Sequence, residues 1–133
     1  MEDCIFCKII KGEIPSFKIY ENEYIYAFLN INPIAKGHTL VIPKKHFNSI
    51  LDCEENYLNE MIKATKLISN HLKEKLNCTG INILNNSGKS AGQEIYHIHF
   101  HIFPRFDNDN YKLWADTGYQ KEDLKELSES IKL

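Results

Sequence analysis

Hydrophobic positions along this chain change period several times, and each change marks an element. The clearest run is Leu58, Met61, Ile62, Thr65, Ile68, Leu72 and Leu76. Its steps of three and four predict an amphipathic helix of about 22 residues. Asp52 with Glu55 three residues later has the signature of a capping box at its start. Upstream, residues 17–21 and 24–29 are predicted strands, joined by a tight turn at Glu21, Asn22 and Glu23 into a hairpin. Residues 39–42 form a short apolar run ending at Pro43, and residues 4–11 fit a short helix closed by Gly12. Past the long helix, Gly80 opens a strand at 81–84, "NNSGKSAG" turns, and 94–104 is a second strand. Residues 121–131, "KEDLKELSESI", read as a terminal amphipathic helix within a tail of about 107–133. Strands and helices are segregated more than alternated, which predicts one α+β domain over 1–133 with an antiparallel sheet.

The strand at 94–104 carries the chemistry. Side chains alternate faces along a strand, so His97, His99 and His101 share one side while Ile98, Phe100 and Ile102 supply the other. Three of the six histidines of the chain therefore stand in register. A solvated polar face is the plain reading, but neutral imidazoles gain little from being neighbours and cationic ones repel. Two sharper readings are a three-histidine catalytic zinc site and metal-free phosphoryl chemistry, with imidazole as nucleophile or acid–base catalyst.

The preceding turn bears on that choice. "NNSGKSAGQ", Asn85 to Gln93, combines Gly88 and Gly92 with Asn86 and Ser90, types suited to offering donors to an anion. Read alone it is as well explained as a hairpin turn. Its "GKS" is not a P-loop, which needs a glycine five residues before Gly88, where Ile83 stands. Donors beside a histidine face favour phosphate.

Composition narrows the classes. The chain has 133 residues, enough for a core without cross-links, and a net charge of −2 from 16 basic and 18 acidic side chains. That balance gives no footprint for nucleic acid or an anionic membrane. No run approaches 18 apolar residues, and the acidic N-terminus lacks a secretory n-region, so the cytoplasm is the expected location. Four cysteines include the pair Cys4 and Cys7, which reads as metal ligands or a redox pair, whereas Cys53 and Cys78 read as small core residues. His71 falls on the polar side of the long helix.

These residues resemble the histidine triad (HIT) family of nucleotide hydrolases and transferases. The motif His-φ-His-φ-His-φ-φ is met by His97-Ile98-His99-Phe100-His101-Ile102-Phe103. Support comes from "IFCKIIKGEIP", "AFLNINPIAKGHTLVIPKKH" and "NNSGKSAGQEIYHIHFHIFPR", so the likeness spans about Cys4 to Arg105 and is greatest for the Hint-like branch. The resemblance implies the α+β HIT fold, paired as a homodimer. It implies that His99 attacks the α-phosphorus of a purine nucleotide to give a covalent nucleotidyl-histidine, with His101 on the phosphate and His38 completing the cluster. Asn86, Gly92 and Gln93 would bind the phosphate and leaving-group region. Base and ribose would lie against Ile5, Phe6, Ile9, Phe28, Ile31 and Leu40, with Asn30 at the ribose hydroxyls; core packing explains Phe28 and Leu40 equally well.

Bacterial proteins of this kind hold a structural zinc with a Cys-x-x-Cys and two histidines, here Cys4, Cys7, His46 and His97. No organic cofactor is implied. Two positions depart from the Hint branch: Asn30 where aspartate is frequent, and Glu94 where serine or threonine is frequent. A carboxylate beside the scissile phosphate repels it, so Glu94 is expected to point elsewhere or to engage the leaving group. Trp114 is expected either over an active site or as a packing anchor for the tail. The resemblance implies hydrolysis of AMP-linked substrates such as nucleoside phosphoramidates. Dinucleoside polyphosphate hydrolysis of the Fhit kind and a nucleotide- or partner-binding dimer with little activity are the alternatives. A uridylyl transferase of the galactose-1-phosphate kind fits less well, because those replace the third histidine with glutamine and His101 is present.

Overall fold

The structure is a computed structural model that describes residues 3–112 and 115–133. Helix α1 (Ile5–Ile10) precedes strands β1 (Lys18–Glu21), β2 (Ile25–Leu29) and β3 (Thr39–Pro43). The long helix α2 (Glu55–Leu76) follows, then β4 (Gly80–Leu84), a 3-10 turn (Lys89–Ala91), β5 (Phe100–Arg105) and α3 (Leu124–Ile131). All neighbouring strands pair antiparallel in the order β1-β2-β3-β5-β4. The α+β architecture expected from the sequence is therefore present.

Alternation along the strands gives the sheet two apolar faces. On one, Ile25, Ala27, Val41, Phe100 and Ile102, with Ile98 just before β5, pack against Met61, Ala64, Ile68 and Leu72 of α2. On the other, Tyr26, Phe28, Leu40 and Ile42 meet Phe6 and Ile9 of the short α1. The register pairs Leu40 with His101 and Val41 with Phe100. That places the histidine side of β5 on the α1 face, beside a helix too short to cover it.

Local chemistry sets the element ends. Cys4 caps α1, its Sγ accepting from the Cys7 amide at 3.4 Å. In the hairpin turn, Asn22 Oδ1 accepts from the amides of Tyr24 and Ile25, each at 2.8 Å. Gly37 has φ +85°, and a Cβ there would lie 2.5 Å from Leu76 Cδ1 and 3.1 Å from Pro104 Cγ. Only glycine lets the chain turn this close to the end of α2 and deliver His38 to the start of β3.

Two sequence expectations are corrected. Asp52 does not cap α2: its carboxylate accepts from the amides of Asn48 at 3.1 Å and Ser49 at 2.8 Å, closing the preceding turn. The N-cap is Glu54, whose side chain makes no capping bond. The strand expected over 94–104 is paired only from Phe100, because the Ile98 amide donates to the Phe47 carbonyl at 2.8 Å, outside the sheet ladder. His71 is exposed, Cys78 is buried, and Cys53 is half-buried against the α2 core. Trp114 lies outside the described residues. Among them, no helix is long and apolar enough to cross a membrane.

Candidate active site and metal cluster

Between the α1 face of the sheet and the 85–95 segment lies a cavity of about 550 Å³. Ile5, Phe6, Ile9, Phe28, Ile31 and Leu40 line its apolar end, joined by Asn30. His38, His99, His101, Asn86, Gly92 and Glu94 line its polar part. Of the residues that the resemblance assigns to substrate contact or catalysis, only Gln93 is not among the lining, and Gly88 and Ser90 of the turn are also outside it. Its amide is buried: Oε1 accepts from the Gly88 amide at 2.8 Å, while Nε2 donates to the carbonyls of Asn48 at 2.6 Å and Ile95 at 3.1 Å. The turn likewise keeps donors for itself. The amides of Ala91, Gly92 and Gln93 close onto carbonyls of Gly88 and Lys89. What the turn presents to the cavity is the Asn86 and Gly92 edge, where Asn86 Nδ2 reaches the Gly92 carbonyl at 3.5 Å.

Hydrogen bonding fixes the protons on the histidines. His99 Nδ1–H donates to the His97 carbonyl at 2.8 Å, which leaves the lone pair on Nε2. The Ile34 amide donates to His38 Nδ1 at 3.3 Å, so neutral His38 carries its proton on Nε2 and donates it to His101 Nδ1 at 2.9 Å. Neutral His101 must then hold its proton on Nε2. His38 and His101 thus form a directed pair that ends in an N–H, while His99, whose ring centroid lies 4.9 Å from that of His101, offers a lone pair. Burial first, then the neighbouring His99, pushes His38 down to about 4. His101 is pushed to about 4 by burial, with His99 and His38 adding to it. Burial also lowers His99, against the opposing effect of its bond to the His97 carbonyl. At neutral pH the cavity thus holds uncharged imidazoles.

The third triad ring points elsewhere. His97 Nε2–H donates to the Pro43 carbonyl at 2.9 Å, turning Nδ1 toward Cys4 Sγ at 3.4 Å and Cys7 Sγ at 3.6 Å. His46 Nδ1 lies 3.4 Å from Cys7 Sγ, and its Nε2 meets Asn48 Oδ1 at 3.2 Å. The four donor atoms of Cys4, Cys7, His46 and His97 lie within 4.8 Å of one another, a group that could hold a metal ion. Burial pushes His97 down to about 4, keeping it in the neutral form a metal requires.

Sequence reasoning missed two aromatic members of the cavity. Phe103 stacks on His101 with centroids 5.4 Å apart, and it continues the same alternation, so its position was there to be read. Tyr111 also lines the cavity, with Arg105 4.3 Å over its ring, a pairing across the turn after β5 that no periodicity signals.

Comparison with known proteins decides the family. The profile described as the HIT domain matches residues 11–108. The chain belongs to the HIT family. A HIT-like protein of uncharacterised function from Borreliella burgdorferi is 47% identical over 138 residues, covering 100% of this chain and 99% of that one. The adenosine 5′-monophosphoramidase HNT1 of Saccharomyces cerevisiae is 46% identical, covering 78% of this chain and 63% of its own length. The adenylylsulfatase HINT3 of Arabidopsis thaliana is 38% identical, covering 98% and 66% respectively. Among solved structures, a Zn-bound histidine triad family protein from Mycobacterium smegmatis matches with a TM-score of 0.81 and 37% identity, covering 87% of this chain and 84% of that one. The HIT chain thus has Hint-like relatives named as hydrolases, alongside others of unassigned activity.

Proposed function

We propose that this HIT protein is a nucleoside phosphoramidase that acts at the α-phosphate of AMP-linked substrates through a covalent intermediate on His99. The observation that carries the proposal is the His99 Nδ1–H bond to the His97 carbonyl. It leaves a neutral ring in the cavity with its lone pair on Nε2, the form in which imidazole is a nucleophile.

The step follows from that proton arrangement. With adenine and ribose against the apolar end and Asn30 at the ribose hydroxyls, His99 Nε2 attacks the α-phosphorus. The P–N bond to the amine breaks, its electron pair stays on nitrogen, and that nitrogen takes a proton from solvent. Phosphorus is then bonded to His99 Nε2, and the ring's positive charge is stabilised through Nδ1–H on the His97 carbonyl. Water attacks the same phosphorus, His99 leaves with its electron pair, and the water proton passes to solvent. The sum is phosphoramidate plus water giving amine plus AMP. Asn86 and the N–H of His101 would hold the phosphate oxygens, as preorganised donors do for developing charge. Gln93 supports the turn that carries Asn86 and Gly92.

Zinc suits the Cys4, Cys7, His46 and His97 cluster. A tetrahedron with Zn–S about 2.3 Å and Zn–N about 2.1 Å has edges of about 3.4–3.8 Å; three S–N separations of 3.4, 3.4 and 3.6 Å fall in that range, within a set of donor atoms that spans up to 4.8 Å. With four protein ligands the ion would be structural, tying α1 and the segment after β3 to the approach of β5. The pairing of His97 Nε2 with the Pro43 carbonyl is the outer-shell support such a ligand usually has. A homodimer belongs to the same reading: β4 is a sheet edge, with Ile83 45% and Leu84 40% exposed.

Turnover of adenosine 5′-phosphoramidate tests the assignment. The wild-type protein should release ammonia and AMP, His99→Ala should lose kcat/KM by about 10⁴-fold or more, and His101→Ala by about 10²–10³-fold. Undiminished turnover by His99→Ala overturns it.

A further inference from the structure

Among the described residues, the cavity is lined by no lysine and no arginine, and Glu94 is its one carboxylate. This is unusual for a site that handles phosphate, where cations are the common answer to negative charge. His38 and His101 do not supply the missing charge, since burial keeps them neutral. Glu94 is exposed, and it follows Gly92 by two residues on the polar side of the cavity. It also borders a second depression of about 390 Å³, shared with Ile5 and Ile95, where Asp3 adds another carboxylate and, among the described residues, again no lysine or arginine is present.

We infer that Glu94 selects substrates by the charge of their leaving group, favouring cationic amines and disfavouring polyphosphate, sulfate and carboxylate-bearing groups. The inference rests on the phosphoramidase reading and names the substrate class within it. A leaving group that extends over Glu94 meets a carboxylate at the ridge and a second one in the adjoining basin. An ammonium there gains Coulomb attraction, and an anion is repelled by both carboxylates, with no lysine or arginine among the described lining residues to offset them. At separations of several ångströms in a partly solvated rim, one such charge changes a rate ratio by about tenfold.

Three adenosine 5′-phosphoramidates that share one P–N bond type separate charge from chemistry: those of 1,2-diaminoethane, propylamine and glycine. Their leaving groups are cationic, neutral and anionic. At low ionic strength, kcat/KM should fall in that order, with each step normalised to the propylamine compound of the same enzyme. Glu94→Gln should shrink the cation-to-anion ratio by about tenfold, and Glu94→Lys should invert it. Ratios that are the same in wild type and in both variants overturn the role of Glu94 while leaving the phosphoramidase reading intact. No hydrolysis of the propylamine compound by the wild-type protein removes the phosphoramidase reading itself. High salt should compress the wild-type ratio more than that of Glu94→Gln, a readout that a merely structural role would not move.

Discussion

His99 Nδ1 and the His97 carbonyl are 2.8 Å apart, while the His97 ring faces Cys4 and Cys7. One residue therefore serves two sites. Its main chain sets the tautomer of the ring that lines the cavity, and its side chain joins the cluster that could hold a metal. This arrangement forms outside the sheet ladder, where Ile98 is buried on the opposite side and its amide is held by the Phe47 carbonyl.

Disrupting the cluster should loosen that arrangement. Cys4→Ser/Cys7→Ser is expected to lose stoichiometric metal and to lower Tm by roughly 10 °C. A chelator should do the same to the wild-type protein but not to the variant. Elemental analysis with differential scanning fluorimetry checks this; a wild-type protein free of metal and indifferent to chelator contradicts it.

The Gln93 amide makes three hydrogen bonds in a buried setting, to the Gly88 amide and to the carbonyls of Asn48 and Ile95. Gln93→Ala should cost about 2–3 kcal/mol by stranding those groups. Denaturant titration reads the loss, and KM for the phosphoramidate should rise as the turn carrying Asn86 loosens. An unchanged denaturation midpoint would show that the bonds carry little.

Acid should destabilise the fold through the His38–His101 pair. Both rings are neutral when folded, with values pushed to about 4, whereas an unfolded histidine titrates near 6.5. Between those limits the unfolded chain binds more protons, so stability is full above about pH 6.5, falls as pH drops toward about 4, and levels off below. His101→Asn should show a shallower loss between pH 7 and pH 4.5 in denaturant midpoints. A slope identical to wild type would remove His101 from this account.

Ile98 is fully buried against the α2 face, on the side opposite His97 and His99. Ile98→Ala should cost about 2–5 kcal/mol, the usual loss for a truncated core side chain. Chemical denaturation measures it; a loss below about 0.5 kcal/mol would mean that this strand is not clamped from behind.

Much of this was legible in the sequence because it rested on period. The three-and-four spacing from Leu58 to Leu76 located α2, and the alternation of histidine with Ile98, Phe100 and Ile102 located the two sides of β5. Features that depend on competition between nearby partners were not legible. Asp52 had two amides of its own turn closer than the helix start, so the capping box did not form. The Ile98 amide had Phe47 available, so the strand began later than alternation implied. His38 and His101 stand 63 residues apart, and only the β3–β5 register brings them within 2.9 Å. Gln93 looked like a ligand-facing side chain in the turn, and the fold instead buries it beneath.

The central claim is the bond between His99 Nε2 and phosphorus. Rapid acid quench of the protein with adenosine 5′-phosphoramidate, followed by intact mass and peptide mapping under conditions that preserve P–N bonds, tests it directly. The account predicts a transient adenylyl adduct confined to His99, formed and lost at rates compatible with turnover and absent from His99→Ala. Full turnover by His99→Ala, or an adduct on another residue that persists in that variant, would contradict it.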